Sequence, residues 1–163
     1  MEQKQNAIIV DIDGTIAEID HRLYLIKKTP KDWDSFHKKA TEDLPIKENV
    51  DTIREKLFVM RAVPIFVTGR PEQSREITVP WLLKNFFMLE SHGETEEKNV
   101  NGVLFMRPTG DFREDFEIKK EVHDKHLVDK YNIMRVYEDR PQVIRMWEGL
   151  GYDVIDVGPG YEF

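Results

Sequence analysis

The chain of 163 residues contains no cysteine. That excludes a disulfide framework, a thiolate nucleophile and a cysteine-ligated zinc, and leaves oxygen and histidine to hold any metal. Magnesium suits such oxygen donors. The longest apolar run is a few residues, far short of the roughly 20 needed to span a bilayer. Met1 to Asn6 lacks the apolar centre of a signal peptide, so the expectation is a cytoplasmic protein without membrane contact. Basic charge is also in deficit. A formal net charge of -7 excludes a broad basic face for coating nucleic acid, which draws on many Lys and Arg contacts to phosphates, but leaves room for a small basic pocket. Repeats, low-complexity tracts and long linkers are missing, so the chain reads as one domain over 1–163.

What is present is the balance of an ordinary globular chain, 40% hydrophobic and 34% charged. Ala7 to Val10 is a short apolar run that stops at Asp11-Ile12-Asp13-Gly14-Thr15, and runs bounded by turn residues read as buried strands. Val63 to Val67 stops in the same way at Thr68-Gly69-Arg70. Val103 to Met106 stops at Arg107, Met134 to Tyr137 at Glu138-Asp139-Arg140, and Tyr152 to Val157 at Gly158-Pro159-Gly160.

Helical spacing separates these strands: Val50, Ile53, Leu57 and Met60 form one stripe, and Val143, Met146, Trp147 and Leu150 another. Ile118, Val122 and Leu127 suggest a third, less regular one. Strands alternating with helices predict a three-layer, Rossmann-like α/β fold whose central parallel sheet is covered on both faces. Ligands of such sheets bind at the carboxyl ends of the strands, where the polar clusters above fall.

Residues 16–49 are too long for a simple loop and predict a small helical insert beside the site mouth. Thr29-Pro30-Lys31-Asp32 has the pattern of a helix start, with Thr29 as cap. Trp33 and Phe36 either pack this insert or stack on a base. Trp81 and Trp147 belong to the core, and His123 and His126 share a helical face expected at the surface.

Asp11 and Asp13, two residues apart before Gly14, are candidates for in-line attack on phosphorus and for proton transfer to and from the leaving oxygen and water. Phosphate beside two carboxylates needs cations. Magnesium on Asp11, Asp139 and a carbonyl near Asp13 would keep several waters, as that ion prefers. Lys119, with Lys120 as its rival, offers a fixed charge, Thr68 a hydroxyl donor, and Arg22, Arg70 and Arg107 forked contacts to phosphate. Asp115 is either a site residue or an acid favoured by the helix N-terminus.

Asp11-Ile12-Asp13-Gly14-Thr15, Thr68-Gly69, Lys119 and Glu138-Asp139, in this order, resemble the four motifs of the haloacid dehalogenase superfamily. Glu138 stands where many relatives have aspartate, which leaves its contact with metal open between direct and water-mediated. From Ile8 to about Val157 the chain is similar to the phosphatase half of phage polynucleotide kinase-phosphatases. Arg22, Thr68-Gly69-Arg70, Arg107-Pro108-Thr109-Gly110-Asp111, Asp115 before Lys119, and Asp139-Arg140-Pro141-Gln142-Val143-Ile144-Arg145-Met146-Trp147 carry that similarity.

The resemblance implies Asp11, Asp13, Thr68 and Lys119 as catalytic residues, and Arg22, Gly69, Arg70, Arg107 and Asp115 as substrate contacts. It implies Asp11, Asp13, Glu138 and Asp139 around Mg2+. The implied activity is hydrolysis of a phosphomonoester through an aspartyl-phosphate, with a 3'-phosphate at a DNA or RNA end as substrate. A phosphatase acting on nucleoside monophosphates and a non-catalytic module that holds phosphate ends for a kinase are the alternatives. No Gly-x-x-x-x-Gly-Lys-Ser/Thr occurs, so phosphoryl addition is not predicted, and a separate kinase chain is a candidate partner.

Overall fold

The computed structural model describes residues 3–87, 104–161 and 163. In order it forms β1 (Gln5–Val10), β2 (Ala17–Glu18), α1 (Tyr24–Lys27), α2 (Trp33–Lys38), β3 (Leu44–Pro45) and α3 (Lys47–Val59). There follow β4 (Val63–Pro71), α4 (Arg75–Asn85), β5 (Leu104–Arg107), α5 (Asp115–Val122), β6 (Tyr131–Glu138), α6 (Pro141–Gly149) and β7 (Val154–Asp156). Five strands make one parallel sheet in the order β5-β4-β1-β6-β7. The expected three-layer α/β fold is the one observed.

Side chains alternate across a strand with period two, and β1 uses both phases for core. Ile8 and Val10 join a cluster with Val50 and Ile53 of α3 and Trp81 and Leu82 of α4. Ala7 and Ile9 face the opposite cluster with Val143 and Trp147 of α6, against which Phe116 and Val122 of α5 pack. Trp81 and Trp147 are both buried, as expected. A strand apolar on both faces has to be covered twice, which is why the sheet is sandwiched.

Each of the five expected strands has its counterpart in the sheet, and one extension is informative. β4 continues through Thr68-Gly69-Arg70, and its pairing with β5 slips between Thr68 and Pro71. Such an irregularity bends the strand and re-aims its side chains. β5 is described from Leu104 onward, and Val103 lies outside the described residues. The irregular third stripe also has a physical cause: after α5 the backbone widens into a π-turn over His123–Leu127, closed by Val128 N donating to His123 O at 3.0 Å. The five-residue step from Val122 to Leu127 is the spacing of that turn.

The insert is helical, and the antiparallel β2–β3 pair ties its two ends together. Ile19, Leu23, Leu25, Ile26 and Phe36 give it a core of its own. Its second helix starts later than Thr29: Asp32 is the cap, its carboxylate accepting from Ser35 N at 3.0 Å. Asp caps at least as well as Thr, and it stands immediately before the first helical residue. His123 is a second correction. It is buried, with one ring nitrogen 2.7 Å from Asp124 and the other 2.7 Å from the Tyr152 hydroxyl; it follows buried Lys119 by four residues and so continues the inward face of α5. Among the described residues no helix is long and apolar enough to cross a membrane.

Candidate active site

The carboxyl end of β1 turns at once. Thr15, Ile16 and Ala17 all donate backbone N–H bonds to Ile12 O at 2.9–3.1 Å, and Gly14 sits at φ +83°. A Cβ there would lie 2.3 Å from Asp139 Oδ2, so conformation and space both require glycine. This turn points Asp11 towards the end of β6, where Glu138 and Asp139 wait on the neighbouring strand.

Asp11, Glu138 and Asp139, all buried, bring carboxylate oxygens within 4.8 Å of one another. Lys119 reaches them from α5, with Nζ donating to Asp11 Oδ1 at 2.7 Å and to Glu138 Oε2 at 2.8 Å. Burial works against its charge, but Asp11, Asp115 and Glu138 together hold its pKa well above the usual lysine value. Lys119 is therefore the cation of the site; Lys120 points outward to Asp124.

One lysine does not neutralise three acids. Burial, then repulsion from Asp11, pushes Glu138 up to about 7 and Asp139 up to about 9. Glu138 Oε1 also accepts from the backbone N–H groups of Asp139 and Arg140, so both its oxygens are engaged. Asp139 differs: Oδ2 is buried with no hydrogen-bond partner among the described residues, a costly state for such an atom. A hard cation fits this set, with Asp11 and Asp139 offering oxygens directly and Glu138 bracing the site through Lys119 and the backbone.

The Asp13 side chain lies apart from that group. Its Oδ1 accepts from Arg22 Nη2 at 2.8 Å and from Arg70 Nη2 at 2.6 Å and Nε at 3.0 Å. Burial alone would raise the Asp13 pKa, but Arg70 and then Arg22 pull it far below the ordinary carboxylate range. Both arginines are themselves buried and share a second carboxylate, Asp43: Arg22 donates to it through Nε at 2.7 Å and Nη2 at 2.6 Å, and Arg70 through Nη2 at 2.9 Å. Two acids and two guanidinium groups make a closed ionic square.

The third wall comes from β4 and β5. Thr68 is buried, its hydroxyl accepting from Arg70 N at 3.2 Å. Gly69 allows Asp115 to approach, since a Cβ would lie 2.6 Å from Asp115 Oδ1. Arg107 donates to Gly69 O at 3.1 Å and reaches Asp115 at 3.5 Å, while Asp115 lies 3.4 Å from Lys119 Nζ. Asp115 thus faces the site as well as opening a helix. A cavity of about 650 Å³ opens here, lined among others by Asp11, Asp13, Thr68, Arg70, Arg107 and Asp139.

A family model described as the polynucleotide kinase PNKP phosphatase domain matches residues 5–162. The chain belongs to this family. As a PNKP-type phosphatase domain it is an enzyme of the haloacid dehalogenase class, as its motifs implied. It is 26% identical over 144 residues to a protein of Autographa californica nuclear polyhedrosis virus described as a bifunctional polynucleotide kinase/RNA ligase, covering 88% of this chain and 18% of the relative. A chain in the structure of the Pnkp1/Rnl/Hen1 RNA repair complex superposes with TM-score 0.74 at 25% identity, over 98% of this chain and 44% of the other. The class C acid phosphatase from Bacillus anthracis shares the fold, with TM-score 0.62 at 15% identity over 98% and 69% of the two chains. This PNKP-type domain therefore spans less than half the length of the viral relative and of the chain in the RNA repair complex.

The structure adds three residues that sequence reasoning passed over in this domain. Asp43 completes the ionic square, Arg140 reaches Asp115 at 3.6 Å and lies over the Phe163 ring at 5.0 Å, and His37 lines the cavity. Arg140 stood inside the last motif, beside Asp139, and its place there was the available signal. Asp43 and His37 carried none.

Proposed function

We propose that this domain removes the terminal phosphate from a nucleic-acid end, with the 3'-phosphate of DNA or RNA as substrate, by magnesium-dependent hydrolysis through Asp11. One observation carries the reading: the buried Asp139 Oδ2, unpartnered among the described residues, stands beside Asp11 in a cavity far larger than phosphate. Asp11 and Asp139 would hold the ion. When bound, magnesium offsets the negative charge of phosphate and carboxylates, so that an anionic nucleophile can approach.

An Asp11 carboxylate oxygen forms a bond to phosphorus while the bond to the nucleoside oxygen breaks, and that oxygen takes a proton from Asp13. Water then attacks the phosphorus of the aspartyl-phosphate, gives a proton back to Asp13, and releases phosphate with Asp11 regenerated. Arg22 and Arg70 hold Asp13 ionised before substrate arrives; a phosphate that draws their guanidinium groups onto itself lets Asp13 take up a proton. Thr68, Gly69 and Lys119 bind the phosphate oxygens, and Arg107, braced by Asp115, holds the substrate side.

Phosphoryl addition is not part of this reading, and a kinase in a separate chain is a proposed partner, in keeping with relatives described as a kinase/ligase fusion and a multi-protein repair complex. The test is magnesium-dependent phosphate release from a 3'-phosphorylated oligonucleotide, set beside 3'- and 5'-mononucleotides at equal concentration. Preference for the oligonucleotide is expected. Preference for mononucleotides would keep the chemistry and move the substrate to free nucleotides, and no release from any of them would refute the hydrolase.

A further inference from the structure

We infer that Phe112 is the platform on which the nucleobase of the terminal nucleotide stacks, with Trp33 and Phe163 as the facing apolar wall. The inference rests on the phosphatase reading above and extends it from the phosphate to the group that carries it. Phe112 lines the cavity and yet is 95% exposed. An aromatic side chain left in water forgoes its burial energy, and this one belongs to a fixed loop. Arg107 donates through Nη1 to Asp111 O at 3.1 Å and to Arg113 O at 2.6 Å, on either side of Phe112. The Arg113 guanidinium closes onto the Asp111 carboxylate at 2.7 Å, and Gly110 makes the preceding turn at φ +80°. The ring is thus carried by the same arginine that borders the phosphate pocket.

Trp33 comes from the insert and lines the same cavity, 39% exposed, with its ring 5.9 Å from that of Phe163. A cavity of about 650 Å³ is of the size that takes a whole small molecule, roughly 300–1,000 Å³. Charge at the mouth opposes a backbone track: Asp34, Asp111 and Glu114 line it, and Arg113 is taken up by Asp111 and Glu121. Stacking on Phe112 would distinguish a nucleotide from a bare phosphate, and it tolerates any base because every base has a π-face.

The test compares two oligonucleotides ending in 3'-phosphate, one with a normal terminal nucleotide and one with a stable abasic analogue there. The unmutated domain is expected to favour the base-bearing end. Phe112→Ala should cut that preference in kcat/KM by about tenfold, and Phe112→Tyr should keep it. Trp33→Phe, chosen to spare the packing of the insert, should change it less than Phe112→Ala does. Equal loss on both substrates, or no loss, with Phe112→Ala would overturn the platform. Release from both ends by the unmutated domain with no base preference would sink the platform alone, whereas no release from either end would remove the function on which it rests.

Discussion

Asp11 and Asp13 are two residues apart and meet opposite surroundings. Asp11 faces Lys119 and two other acids, and its burial raises its pKa; Asp13 faces two guanidinium groups that lower its own. In the substrate-free site this split runs against the proposed roles of anionic nucleophile and proton donor, so the cation and the incoming phosphate have to reverse it. Asp11→Asn keeps the shape but replaces one acceptor oxygen with an NH2 donor and the anionic nucleophile with a neutral amide. We expect phosphate release to fall by on the order of a thousandfold or more, with the circular-dichroism spectrum and melting behaviour of a folded protein. Turnover near the unmutated rate would take the nucleophile away from Asp11. This residue was legible because its neighbours advertise it: Gly14 and Thr15 follow directly, and the turn they make is local.

At the scale of elements, legibility tracked the range of the interaction. The strands of the sheet and the stripes of α3 and α6 follow from patterns within one segment and were legible from the residues alone, whereas the continuation of β4 through Thr68-Gly69-Arg70 was not. Asp43 was not, because its partners Arg22 and Arg70 lie 21 and 27 residues away and nothing around Glu42-Asp43-Leu44 sets it apart from a solvated acid. Yet it is the join between insert and sheet. Its carboxylate holds an arginine from each, and its backbone carbonyl accepts from Trp81 Nε1 at 2.8 Å. Asp43→Ala would leave two buried guanidinium groups sharing Asp13 alone, and breaking a buried ion pair from one side costs about 3–5 kcal/mol. We expect denaturant unfolding at neutral pH to show a loss of about 3 kcal/mol, with weaker phosphate binding as Arg22 and Arg70 move. A loss below about 1 kcal/mol would mean that the insert's own apolar core, not the ionic square, holds it in place.

For the whole molecule, the site is a store of negative charge inside an already acidic protein, and metal binding and stability are therefore linked. In the metal-free protein burial pushes Asp139 up to about 9 from an ordinary 3.8, and Glu138 up to about 7. A carboxyl whose folded pKa exceeds its unfolded one binds more protons when folded, so it lowers stability as pH rises from about 4 to about 9. A cation that takes the ionised form reverses this cost, and its effect grows with pH over the same window. At a magnesium concentration about 100 times its dissociation constant, the gain is about 2.7 kcal/mol, or a rise in Tm of about 5–10 °C for a chain of this size. The rise should be larger at pH 8 than at pH 5.5 and should vanish with EDTA. Asp139→Asn should abolish it while making the metal-free protein more stable at pH 8, because the amide removes the cost of keeping a carboxyl protonated in the fold that the unfolded chain would ionise. An undiminished magnesium shift in Asp139→Asn would place the ion on other oxygens and leave the unpartnered Asp139 Oδ2 without a role.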